Sequence, residues 1–141
     1  MSRPYSRLAI DKEFIKVKAI MHAEAEKHGD GRALYKDCYT GKTLNGGDPY
    51  DYEHIYGSEW VHTTCKHILS DEQIALVVNC PENVGVTLRV INQSKGKINP
   101  EVWLAQVHQI KNNDIDLLYA LLNVKRAKAA FERMVAKLSG K

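Results

Sequence analysis

The chain has 141 residues, 44% of them hydrophobic, which fits one domain with a buried core and excludes a disordered polyelectrolyte. Its net charge of +3 permits a nucleic-acid partner without requiring one, since polybasic arms are far more extreme. Three cysteines (Cys38, Cys65, Cys80) without C-x-x-C spacing argue against a disulfide framework or a four-cysteine zinc site and point to a reducing cytoplasm, while the lack of an apolar leader or of any run near 18 apolar residues argues against secretion or membrane insertion.

Residues Ile10 to His28 read as a helix. Asp11 fits an N-cap, Phe14, Val17, Met21 and Ala25 form one apolar face, and Gly29-Asp30-Gly31 is the stop. Two strand-like pieces follow, about 34–39 and 50–55, joined across the turn signal Asn45-Gly46-Gly47-Asp48-Pro49. They read as an irregular hairpin with a long loop. Residues Tyr56 to Ser70 read as a surface loop. Ser70 with Gln73 forms a capping-box pattern, and the apolar run Ile74–Val78 suits either a short helix or a buried strand. Thr87 fits the N-cap of a short helix from Leu88 to Lys95, ended by Gly96. Asn99-Pro100-Glu101 starts another helix, and Asn113 or Asp114 caps a last one reaching about residue 138. The expected class is α+β, with a core of about 36–103 and a helical shell of 10–28 and 100–138.

Tyr50-Asp51-Tyr52-Glu53-His54-Ile55 sets an acid beside a histidine at a strand end. Adjacent residues on a regular strand face opposite sides, so a site using both needs an irregular backbone or a ligand arriving at the strand's end. Metal-assisted phosphodiester cleavage needs this pair of types. A hard oxygen ligand holds Mg²⁺ or Mn²⁺, and a neutral imidazole takes a proton from water. Alone, the dipeptide reads equally as a surface pair or a histidine satisfied in a core. Asn92 lies within an otherwise apolar stretch of the short helix, a place asparagine disfavours, and its amide oxygen is an acceptable hard-metal ligand. An asparagine on a polar helix face is the plainer alternative.

Four segments in order resemble the HNH nuclease family, the ββα-metal fold, and most closely the HNH domains of RNA-guided CRISPR effector nucleases. Cys38-Tyr39-Thr40-Gly41-Lys42 is similar to the start of the family's first strand, and Asp51-Tyr52-Glu53-His54-Ile55 to its Asp-His motif. Asn83 corresponds to the middle asparagine, and Asn92-Gln93-Ser94-Lys95-Gly96 to the helix motif N-x-x-K-G, with Pro100-Glu101 following. The resemblance implies a ββα-metal core with an irregular hairpin and helix, flanked by N- and C-terminal helices. It implies His54 as general base, Glu53 and Asn92 as ligands of a single Mg²⁺ or Mn²⁺, and Asn83 as the brace that orients His54. Lys95 would approach the phosphate backbone, with Arg89 and Lys97 beside it. Glu53 departs from the family's aspartate by one methylene, and the zinc-binding C-x-x-C pairs of many relatives are absent.

The implied activity is DNA endonuclease cleavage, by a monomer nicking one strand or a homodimer cutting both, in a cytoplasmic enzyme of bacterial or phage type. A silent nucleic-acid-binding module on the same fold is the alternative. His62, Cys65 and His67 offer three zinc ligands without a clear fourth, so structural zinc is not expected. Arg126, Arg133 and Lys137 fall near one face of the last helix, either a solvated face or a stripe that tracks phosphates. Trp60 reads as rim packing, with base stacking as the alternative.

Overall fold

The computed structural model describes residues 3–45 and 47–140; Gly46 of the expected Asn45–Pro49 turn lies outside them. Among the described residues, seven α-helices and two small antiparallel sheets make the chain α+β. Helix α1 (Leu8–His28) starts from Arg7 rather than Asp11. Asp11 lies in the first turn and receives the Arg7 guanidinium at 2.8 Å instead of capping a backbone N–H. The expected face is present, with Phe14, Val17 and Met21 half-buried and Ala25 buried.

The expected hairpin between 34–39 and 50–55 does not form. Strand β1 (Tyr35–Lys36) pairs with β2 (Thr43–Leu44), while β3 (Tyr50–His54) pairs with β4 (Val84–Leu88), opposing Glu53 to Gly85 and His54 to Val84. The cause is Asp37, whose buried carboxylate folds the chain back at once. Its Oδ1 accepts the backbone N–H groups of Tyr39 (2.9 Å) and Thr40 (3.2 Å), and Gly41 leaves the turn at φ +72°. The same carboxylate accepts the Thr87 hydroxyl (2.9 Å) and the Leu88 N–H (3.1 Å), which ties this turn to β4. Thr87 is therefore a strand residue and not a helix cap.

Between β3 and β4 lie two helices. Helix α2 (Ser58–Cys65) occupies the stretch expected to be a loop. It buries Ser58, Val61, His62 and Cys65, a helical face masked in the sequence because only Val61 is conspicuously apolar. Helix α3 (Asp71–Val78) resolves the ambiguous run as helix, and both halves of the Ser70–Gln73 capping box are made. A single 3₁₀ turn (Pro81–Asn83) leads into β4, and helix α4 (Arg89–Lys95) follows, ended by Gly96 at φ +50°. Thus β3, β4 and α4 form a ββα unit in chain order.

Helix α5 (Pro100–Trp103) has the expected Asn99 cap, with its side chain accepting Glu101 N–H at 2.8 Å. After α6 (Val107–Asn112), helix α7 (Leu117–Ser139) is capped by Asp116 and not by Asn113 or Asp114. Asp114 instead sits at φ +58° and pairs with Lys42. One core cluster draws Ile10, Tyr39, Ile55, Val61, Ile74, Trp103, Val124 and Ala127 together from five helices and their connections. A second packs Ala25, Tyr35, Leu44 and Val86. Among the described residues, no helix is long and apolar enough to cross a membrane.

Candidate functional site

The ββα unit presents its candidate residues on two faces. Strand alternation turns Asp51 and Glu53 toward α4. Asn92 and Lys95 stand three residues apart on that helix, the spacing that puts both on one face. Asn92 Nδ2 donates to Asp51 Oδ2 at 3.1 Å, and Arg89 Nε donates to Asp51 Oδ1 at 3.0 Å. Deeper in, Lys95 Nζ lies 2.9 Å from Glu53 Oε1, with both side chains almost fully buried. The Tyr39 hydroxyl donates to Glu53 Oε2. Burial pushes the Glu53 carboxyl up, while the Lys95 ammonium and the Tyr39 hydroxyl pull it back toward ionisation.

This corrects one expectation outright. Lys95 is 2% exposed, so it does not reach toward a phosphate backbone; it neutralises Glu53 inside the fold. Arg89 is exposed but held by Asp51. Lys97 alone of the three expected cations is both exposed and on the cleft wall, where Glu59 pairs with it at 3.3 Å.

His54 points from the opposite face of β3, toward α1 and α3. Its Nε2 lies 2.8 Å from Asn79 Oδ1, and its ring packs on Phe14 with centroids 4.1 Å apart. Asn79, the C-cap of α3, is fully committed: its Nδ2 donates to Ile10 O (3.1 Å) and Ala75 O (2.9 Å). Both partners are carbonyls, which only accept, so the atom facing them is the amide nitrogen and the atom facing His54 is the oxygen. Burial lowers the His54 pKa to about 4; the Asn79 bond opposes the shift and the Arg7 and Lys95 charges add to it. The ring is therefore neutral at pH 7. Asn83 sits just behind. Its Oδ1 accepts Tyr56 N–H at 2.8 Å, and its Nδ2 donates to Tyr56 O (3.1 Å) and Val78 O (2.8 Å). Its backbone oxygen accepts Ile55 N–H. Asn83 fixes the chain that leaves His54 without touching the ring.

Although they face opposite ways, Glu53, His54 and Asn92 all line one cleft of about 560 Å³. Arg7, Trp60 and Lys97 complete its walls. Trp60, 40% exposed, packs against Tyr56 and Phe131. Sequence reasoning missed Asn79, Phe14 and Arg7 near His54 and Tyr39 on Glu53. No spacing rule links the first three to His54, because the topology alone brings α1 and α3 to it.

The donors fit an oxygen-ligated divalent cation in chemical type. Glu53 Oε1 is occupied by the Lys95 ammonium at 2.9 Å, so a cation would have to displace that pair, whereas Asn92 commits only its nitrogen. Among the described residues, no three His, Cys, Asp or Glu side chains converge as a metal-binding group. His62 and Cys65 are buried on α2, where His62 Nε2 lies 3.2 Å from Arg3 O, while His67 is exposed beyond the helix end. On α7, Arg133 pairs with Glu82 at 2.8 Å, and Arg126 lines a smaller cleft of about 220 Å³ away from His54. Comparison with protein-family models, curated proteins and solved structures gives no match.

Proposed function

We propose that the protein is a metal-dependent endonuclease of HNH type, hydrolysing phosphodiester bonds in DNA. The observation that carries this reading is His54, neutral and held by one ring nitrogen, on the wall of a cleft shared with Glu53 and Asn92. A neutral imidazole with a free nitrogen can take a proton from an attacking water. Asn83 holds the backbone after His54, so the ring keeps its place as charge develops. Glu53 and Asn92 would hold Mg²⁺ or Mn²⁺, which when bound would stabilise charge on the phosphate and the leaving oxygen. Lys95 and a divalent cation would compete for the same carboxylate. Arg7 and Lys97 line the cleft paired with Asp11 and Glu59, so a polyanion would bind them by displacing those carboxylates.

A plasmid-nicking assay with Mg²⁺ or Mn²⁺ tests this. His54→Ala is expected to cut about 10²–10⁴-fold more slowly than wild type. Absence of metal-dependent cleavage of any nucleic acid by the wild type would refute the reading. The Glu53–Lys95 pair favours one other reading, a silent nucleic-acid-binding module whose acid has become a structural ion pair. Under that reading, DNA binds and is never cut.

A further inference from the structure

We infer that Asn79 is a positioning residue for His54, fixing which ring nitrogen carries the proton and therefore which one accepts it. The inference rests on the nuclease reading above for its kinetic consequence, and on geometry alone for its structural one.

The amide of Asn79 has no freedom to turn over. Its two N–H donors are taken by Ile10 O and Ala75 O, carbonyls on two different helices. Flipping the amide would set its oxygen against both carbonyls and leave a nitrogen facing His54. The oxygen presented to His54 can only accept, so Nε2 must donate and therefore carries the proton. In a neutral imidazole the other nitrogen, Nδ1, is then the acceptor. Among the described residues, Nδ1 has no hydrogen-bond partner. Phe14, packed on the ring at 4.1 Å, limits its rotation about χ2. Asn79 is 3% exposed, so water does not readily replace it as the acceptor. The arrangement does for His54 what an orienting carboxylate does for a catalytic histidine, but with a neutral group, so the ring is oriented without an added negative charge.

The test is ¹⁵N NMR of the His54 ring in the whole chain, run beside the plasmid-nicking assay. Wild type is expected to show a single Nε2–H tautomer, with one protonated-type and one lone-pair-type nitrogen. Asn79→Leu, close in volume and without an acceptor, is expected to move both nitrogens toward the averaged shifts of free imidazole. It should lower kcat about 10–100-fold with little change in KM. A wild-type ring that carries its proton on Nδ1, or that averages, overturns the inference without any variant. So does Asn79→Leu that folds with an unchanged ring spectrum. Normal tautomer behaviour in a wild type that cuts no nucleic acid would reject the nuclease reading and leave the Asn79 assignment standing.

Discussion

At the scale of the residue, His54 shows how burial sets chemistry. Its pKa falls to about 4, mainly through desolvation, whereas an unfolded histidine titrates near 6.5. Between these values the unfolded chain binds the extra proton, so stability rises with pH across that window and is fully present above about 6.5. As the pH falls toward 4, the contribution is lost, up to about 3 kcal/mol. Urea unfolding of wild type and His54→Gln at about pH 7.5 and about pH 4.5 would show it: the wild type should lose more stability on acidification. Parallel losses would mean that the ring is more hydrated than its packing against Phe14 implies. The histidine itself was legible in the sequence, because an acid-histidine pair at a strand end stands out. Its partner was not. Asn79 is a common helix-terminal residue whose side chain gains meaning only from the helices it bridges.

At the scale of the element, one contact holds the ββα unit together and a second fits it to its surroundings. The Lys95–Glu53 pair clamps α4 to β3 in the interior. Lys95→Met leaves the Glu53 charge buried without its counter-ion and should cost about 3–5 kcal/mol in thermal or urea unfolding. Glu53→Gln combined with Lys95→Met should recover most of it, since Tyr39 can donate to an amide oxygen as well. Gly85, opposite Glu53 on β4, is the second contact. A Cβ there would lie 2.7 Å from Cys38 Sγ and 3.1 Å from Cys38 Cβ. Gly85→Ala should therefore destabilise by about 1–3 kcal/mol, and Gly85→Ala with Cys38→Ala should recover part of that. Helix α1 was legible from periodicity though not from its cap, α5 was legible from the Asn99 cap, and α3 had its capping box while its apolar run also suited a strand. Helix α2 was hidden by its polar inner face. The strand pairing was hidden because the turn around Asp37 looks like ordinary coil until Thr87 and Leu88 are seen to meet it.

At the scale of the whole molecule, the helices outside the ββα unit are part of its interior. Ile10 of α1 and Ala120, Val124 and Ala127 of α7 share one core with Tyr39, Ile55 and Trp103. A fragment of residues 36–103 contains every segment that resembles the nuclease family, yet lacks both outer walls. It should show no cooperative transition by calorimetry, whereas the 141-residue chain should show one. The non-local pairing of β3 with β4 has a kinetic meaning. A tight hairpin zips within its own neighbourhood, but here residues 55–83, with α2 and α3, lie between the strands that pair Tyr50 with Leu88 and His54 with Val84. Closing that loop is a long-range event, and α7, which completes the core, is synthesised after every element of the site. A chain emerging from the ribosome therefore carries the acid, the imidazole and all three asparagines well before it has the site they form.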